Sequence, residues 1–151
     1  CRPPCRQVSL ARLEGALADG SWTRTHAGPL DASFRPAKPG IENPVVVKSS
    51  DGWFIAVYHI YNPGAIGVSF SRDGIHWTRQ AGDVLLRREG TGPGFCNDVV
   101  TTVCGLVAEP HLGRGVYSVM YTAGGGGASA DGASGAICRT YLVNEAEADA
   151  A

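Results

Sequence analysis

The sequence predicts an all-β fold made of short antiparallel strands that recur in four-stranded units. Its 151 residues include 21 glycines and 9 prolines, and its aromatic residues lie in short runs with valine, isoleucine and threonine. Glycine supplies positive φ angles and proline fixes φ, so this composition is typical of a protein rich in strands and tight turns. The chain has the length of one ordinary domain and can bury a core.

The clearest signal is a repeat in the middle of the chain. Turn sequences separate strand-like runs there: DG at 51–52, NPG at 62–64 and DG at 73–74. Asp-Gly and Asn-Pro favour tight turns for steric reasons. Four short antiparallel strands in up-and-down order make one blade of a β-propeller. The predicted strands of this blade are residues 44–48, 53–60, 65–71 and 76–79.

A second unit repeats the same order with candidate strands at residues 99–107, 116–122 and 135–143. We align 116–122 with 54–60 and 135–143 with 65–71. The loop at 124–134 consists almost wholly of Gly, Ala and Ser and is flexible by composition. No fourth strand follows, so the unit is predicted to be a three-stranded blade.

The N-terminal stretch resembles the end of an earlier unit. Residues 8–12 followed by the triplet WTR at 22–24 parallel residues 66–69 followed by WTR at 77–79. The alternative is an amphipathic helix at 8–14, which has good helical propensity. We favour the strand because the repeated triplet fixes its downstream end.

These units divide the chain into a partial β-propeller of about two and a half blades. Residues 1–38 end one blade, 41–90 form a complete blade, 97–143 form a three-stranded last blade, and 144–151 form a tail. The chain begins with Cys1 and has no apolar signal core there. We therefore expect it to be a cut or processed part of a longer protein.

The charge balance and the lengths of the apolar runs exclude several kinds of partner. There are 13 Lys and Arg against 14 Asp and Glu, a formal net charge of −1. No basic stripe is available for phosphates, so we expect no nucleic acid partner. The apolar runs are too short to cross a membrane as a helix. No Cys/His cluster suggests a metal, and no motif suggests a cofactor.

The cysteines leave the redox compartment open. An odd number of cysteines, five, cannot pair completely within the chain. Cys96 and Cys104 are close enough in sequence to meet across a turn; alternatively, Cys104 and Cys138 are small buried hydrophobes. The cellular location stays open as well, with a lean towards a secreted or extracytoplasmic protein.

The segment SRDGIHW at residues 71–77 predicts a specific turn. Asp73 can accept hydrogen bonds from the amides of its own turn, Gly74 can take a positive φ, and Trp77 can fill the space beside the strands. The segment resembles the turn that closes blades in five-bladed glycosidase propellers. It is more loosely similar to the sialidase Asp-box, which has one more residue between Asp and Gly.

Two further stretches extend this resemblance over residues 41–143. Residues 41–46 with 51–58 look like the opening of a blade in the five-bladed fold shared by glycoside hydrolase families 32, 43, 62 and 68. Residues 101–110 with 117–122 resemble the following blade. The resemblance implies hydrolysis or transfer at glycosidic bonds by two carboxyl groups that flank the scissile bond. Since the first blades of that fold are not in the sequence, we expect the chain to be inactive in isolation.

The resemblance also selects candidate site residues. The acid motif of these families is a Glu, a small residue and Pro, and Glu42-Asn43-Pro44 is close to it, so Glu42 is the candidate general acid. Its apolar neighbours are expected to raise its pKa. Asp98 opens the next inner strand and is the candidate orienting carboxylate. The structural alternatives are a surface Glu at a strand entrance and an Asn-Asp turn.

Three other residues each have a structural as well as a functional interpretation, or only a structural one. Trp53 is a candidate sugar-stacking platform or a packing residue, and His59 is a candidate sugar contact or a structural histidine. Glu109 also precedes a proline but aligns with the turn at 49–50, the far end of the inner strand, and we interpret it as a turn residue.

The alternative to an enzyme is a non-catalytic propeller that binds carbohydrate or protein. An open propeller edge also predicts self-association.

Overall fold

A computed structural model describes residues 11–14, 21–24, 41–60, 64–80, 85–87, 99–124 and 135–145. Its regular elements form antiparallel sheets. They are β1 (Ala11–Glu14), β2 (Ser21–Arg24), β3 (Ile41–Lys48), β4 (Phe54–Ile60), β5 (Ala65–Ser71), β6 (Thr78–Arg79), β7 (Leu86–Arg87), β8 (Val99–Ala108), β9 (Val116–Gly124) and β10 (Gly135–Val143).

The first main sheet has the order β3-β4-β5, with two short strands one after the other along the second edge of β5. β6 pairs with Ser69 and Phe70, and β7 pairs with Ala65 and Ile66. The fourth strand position is therefore filled by two separate pieces of chain. The prediction of a four-stranded antiparallel sheet over residues 41–80 is confirmed.

The second main sheet has the order β8-β9-β10, which confirms the predicted three-stranded repeat. Within the described part of 41–143 every regular element is a strand. No described helix is long and apolar enough to cross a membrane.

The N-terminal pair also follows the repeat. Ala11 pairs with Arg24 in β1 and β2, just as Ser69 pairs with Arg79 in β5 and β6. This is the correspondence that the two WTR triplets predict. The helical alternative is wrong for residues 11–14, while residues 8–10 of the predicted strand lie outside the described part of the chain.

Two turns of the same composition, Ser-x-Asp-Gly, follow β3 and β5. In the second, Asp73 Oδ1 accepts hydrogen bonds from the amides of Ile75 and His76, each at 2.8 Å, and Gly74 has a φ of 74°. The indole Nε1 of Trp77 donates to the Gly74 carbonyl at 3.0 Å. The predicted mechanics of this turn are confirmed, including the packing of Trp77 against apolar residues of the first sheet.

The core lies between the two main sheets. β8 contacts β3, β4 and β5, and the apolar side chains of the facing surfaces form one buried cluster. In this cluster Ile55, Val57, Leu106 and Val119 are buried, and Val45 and Val47 pack against them.

The β3–β4 hairpin and the β8–β9 hairpin show which residues of the two sheets occupy equivalent positions. The amide of Ser49 donates to the Trp53 carbonyl at 2.8 Å, and the amide of Glu109 donates to the Val116 carbonyl at 2.8 Å. Thus Trp53 corresponds to Val116, and Phe54 corresponds to Tyr117. The alignment of 116–122 with 54–60 is therefore wrong by one residue. The hairpin loop between Glu109 and Val116 is longer than that of the first sheet, which hides the true register in the sequence.

A shift by one residue exchanges the two faces of a strand, so the corrected alignment decides which faces of the two sheets correspond. Ile55 and Val57 point to the second sheet, whereas their counterparts Ser118 and Met120 point away from the first. The second sheet instead contacts the first through Tyr117, Val119, Tyr121 and Ala123, which belong to the opposite face. The sheets are therefore stacked in the same sense, and not as a sandwich of equivalent faces.

The cysteines differ from the expectation that Cys104 and Cys138 are both small buried hydrophobes. Cys138 is buried but disulfide-bonded, and Cys104 is an exposed free thiol. Cys104 lies where β8 has an extra residue between the pairs Val103–Tyr121 and Gly105–Met120. This bulge removes Cys104 from the regular alternation and turns it outwards. Because Cys104 is free, the alternative of a Cys96–Cys104 bridge is excluded.

Candidate functional site

Polar side chains gather at one end of the two main sheets, where β3 and β8 begin and β4 and β9 end. Glu42 pairs with His59 across β3 and β4, and Thr102 pairs with Thr122 across β8 and β9. These two pairs occupy corresponding places in the two sheets. Since β8 lies against β3, both pairs lie near the line along which the sheets meet.

One polar contact in this group joins Glu42 to His59. Glu42 Oε1 lies 3.1 Å from His59 Nδ1, and the side chains are 16% and 6% exposed, respectively. Because both side chains are largely buried, a hydrogen bond between them is stronger than the same bond in water. The pair can hold one proton on the carboxyl, facing a neutral imidazole, or on the imidazole, facing a carboxylate. It is therefore able to give or take a proton at an edge that solvent still reaches.

Next to this pair, β3 has an irregularity that sequence reasoning did not identify. The pairing shifts between Glu42 and Val45, and Asn43 has a φ of 53°. Asn43 Nδ2 donates to Thr102 Oγ1 at 3.4 Å, which links β3 to β8. Thr102 in turn accepts at its carbonyl from Thr122 Oγ1 at 3.5 Å. The available signal was the dipeptide Asn-Pro, since Asn tolerates a left-handed backbone and Pro has no N–H.

His59 is buried at this edge. The residue is 4% exposed, and its Nδ1 faces Glu42 rather than solvent. The structure thus brings Glu42 and His59 together as one unit, with Glu42 as the member nearer to solvent.

Trp53 lies at the opposite end of β4, immediately before its first residue. The guanidinium of Arg72 lies over its ring, with Cζ 3.9 Å from the ring centroid, and Arg72 also donates to the Asp51 carbonyl at 3.4 Å. One face of the indole is therefore already covered. The structure does not bring Trp53 to the Glu42–His59 pair.

Glu109 lies in the turn after β8, at the end of the strand remote from Thr102, as expected of a turn residue. It accepts a hydrogen bond from the buried hydroxyl of Ser118, and its other oxygen lies 3.5 Å from His111 Nδ1. In a catalytic triad the histidine stands between the hydroxyl and the carboxylate. Here the carboxylate stands between them, so the arrangement is not a triad of this kind.

The other carboxylates with described side chains do not complete a two-carboxyl site. Asp51, Asp73, Glu109 and Glu145 all lie at the ends of strands remote from Glu42. Asp98, the candidate orienting residue, lies outside the described residues. Within the described part of the chain no group of three His, Cys, Asp or Glu residues could hold a metal ion.

No protein-family model, no curated protein and no solved structure matches this chain.

Proposed function

We propose that this chain forms part of a glycosidase-type carbohydrate-active site in which Glu42 is the general acid. The observation that supports this role is the hydrogen bond between Glu42 and His59 at the edge where the two main sheets meet. Glu42 is largely enclosed but keeps some contact with solvent. Cleavage of a glycosidic bond needs a carboxyl group that can protonate the leaving oxygen, and Glu42 is the described carboxyl in that position.

The same-sense stacking of the sheets supports a propeller arrangement. In a propeller each blade packs one face on the blade before it and the other face on the blade after it. The first sheet contacts the second through the face that carries Ile55 and Val57. The second sheet contacts the first through the face that carries Tyr117 and Val119, which corresponds to the opposite face of the first sheet. We propose that the two sheets are consecutive blades, that β1 and β2 end an earlier one, and that the full ring has five.

The second carboxyl would come from another blade, and this chain alone would then be inactive. In an inverting enzyme the two carboxyl groups are about 6.5–9.5 Å apart, and in a retaining enzyme about 5–5.5 Å. Asp98, which precedes β8, is proposed to orient Glu42 or its partner. The ligand is a carbohydrate, bound without a cofactor.

The disulfide at Cys138 supports a place in an oxidising compartment, since structural disulfides persist mainly in secreted and extracytoplasmic proteins. A glycosidase acting on external polysaccharide fits such a location.

Glu42→Gln tests the acid role in the full-length protein. Glutamine keeps the shape and the contact with His59 but has no acidic proton to donate. We expect hydrolysis of natural glycosides to fall by about 100- to 10,000-fold. Aryl glycosides with a good leaving group should be cleaved at nearly the original rate, because their leaving oxygen needs no proton.

The matched control is Glu109→Gln, a glutamate of similar exposure at the other end of the sheets. It should leave both activities unchanged. An equal loss on both classes of substrate after Glu42→Gln would remove the acid role.

The second candidate function is an interaction module, and one surface favours it. The outward face of the second sheet exposes Ile137, Tyr141 and Val143 of β10 and Val107 of β8. Ile137 and Tyr141 correspond to Ile66 and Phe70, which pack against the second sheet. This face therefore corresponds to an existing sheet-to-sheet interface, and a second copy of the chain is the proposed occupant.

A further inference from the structure

The start of β3 carries a one-residue bulge. Three steps along β3, from Glu42 to Val45, face only two steps along β4, from His59 to Val57. The extra residue is Asn43, whose φ of 53° is left-handed. Asparagine enters this region more readily than other residues that have a Cβ. Pro44 follows it and has no N–H to offer to the ladder, which suits a place where pairing is interrupted.

The bulge decides the direction of Glu42. In a regular strand, residues three apart point to opposite faces. Glu42 and Val45 nevertheless pair with His59 and Val57, two residues apart on β4, and so share the face directed at the second sheet. Ile41, one residue earlier, packs with Ile60 on the other face. If β3 continued from Val45 in regular register, without the bulge, Glu42 would lie opposite Ile60 and point away from His59.

The residue that makes the bulge also contacts the neighbouring sheet. Asn43 Nδ2 donates to Thr102 Oγ1 on β8 at 3.4 Å. A left-handed backbone at a residue other than glycine is unfavourable on its own and persists where its surroundings hold it. The hydrogen bond to β8 and the proline after Asn43 are two such restraints.

We propose that Asn43 is the positioning residue for Glu42. Its left-handed backbone creates the bulge, its amide anchors the bulge to Thr102, and the bulge places the Glu42 carboxyl against His59. Packing of the second sheet on the first is thereby coupled to the orientation of the acid. The inference rests on the proposed function only in calling Glu42 the acid, since the bulge and the hydrogen bond have their own readout.

That readout is the ¹⁵N NMR spectrum of the His59 imidazole, which reports the hydrogen bond at Nδ1. Glu42→Gln defines the spectrum of the altered pair. Asn43→Val should shift the Nδ1 resonance by an amount comparable to that in Glu42→Gln, because a β-branched residue does not tolerate a positive φ. Asn43→Gly keeps the backbone freedom and loses the amide, so a smaller shift in the same sense is expected.

Thr102→Val tests the anchor from the other strand and conserves volume. It should give a shift similar to that of Asn43→Gly. Thr78→Val, an exposed threonine on β6, is the matched control and should leave the His59 spectrum unchanged. If Asn43→Val does not fold, the glycine and Thr102 variants decide the question. Wild-type His59 resonances in both of these would overturn the proposal, as would an unshifted, folded Asn43→Val.

In the full-length enzyme, Asn43→Gly should lower kcat by up to about 100-fold, the scale of a 1 Å misplacement, with KM nearly unchanged. The two proposals can fail separately. A shifted His59 spectrum without any substrate effect of Glu42→Gln would leave Asn43 as the positioning residue of a carboxyl that is not the acid. An unshifted spectrum would remove the role of Asn43 and leave the role of Glu42 standing.

Discussion

The ring of Tyr58 lies over the backbone of Gly67, its partner across β4 and β5. A Cβ placed on Gly67 would come within 2.4 Å of Tyr58 Cε2 and 2.8 Å of Cζ. The Tyr58 hydroxyl is 2.9 Å from Ser69 Oγ, so the ring is held at both ends. Glycine is required here by the close approach of the ring rather than by the backbone angle.

Gly67→Ala should therefore destabilise the fold by about 1–3 kcal/mol, the usual cost of overpacking a core. Urea unfolding measures the change. Gly105→Ala is the matched control, because its Cβ would meet the terminal methyl of Met120 at 2.5 Å. A flexible methionine can move aside, so this variant should cost less. An equal or larger loss at Gly105 would contradict the argument.

The turn at Asp73 predicts a dependence of stability on pH. Hydrogen bonds, first from the His76 side chain and then from the amides of His76 and Ile75, hold the pKa of Asp73 well below its usual range. A depressed pKa contributes stability above the ordinary aspartate value of about 3.9 and loses it as the pH falls towards the folded pKa. Asp73→Asn should thus differ most from wild type near neutrality and least in acid.

Carboxyl ¹³C NMR gives the direct check on Asp73. His76→Ala removes the largest cause of the shift, so the midpoint of Asp73 should rise towards the ordinary value. A wild-type midpoint already at about 3.9 would contradict the hydrogen-bonded turn.

The cysteines predict a clear contrast between two variants. Cys138→Ala removes a disulfide and should lower the free energy of unfolding by about 2–5 kcal/mol. Cys104→Ala alters an exposed thiol and should stay within about 0.5 kcal/mol. Alkylation of the native protein without reductant, followed by mass spectrometry, should label Cys104 and spare Cys138. Labelling of Cys138 would show that the bridge is absent.

The exposed face of the second sheet predicts self-association. Sedimentation velocity should find dimers or larger species, and a hydrophobic dye should bind. Replacing Ile137 and Val143 together by lysine should give a monomer with reduced dye binding, because lysines on a sheet face oppose stacking. Leu112→Lys, at an exposed turn residue, is the control and should change neither property. A stable wild-type monomer that binds no dye would contradict the proposed occupant.

Local sequence determined the strands and the tight turns of this protein. Asp73-Gly74 and Asp51-Gly52 build their turns with their own side chains and backbone angles, so a few neighbouring residues contain all the necessary information. The two WTR triplets likewise predicted the pairing of β1 with β2, because both ends of a hairpin lie close together in the chain.

The tertiary structure decided the register of β9 and the partner of Glu42. The hairpin loops before β4 and β9 differ in length, so a sequence alignment of these two strands can be wrong by one residue. That offset decides which face of β9 corresponds to which face of β4. Glu42 was identified from its place before Asn43-Pro44, but its contact with His59 depends on the bulge and on the arrival of β8 beside it. Such contacts join residues distant in sequence, and only the folded chain brings them together.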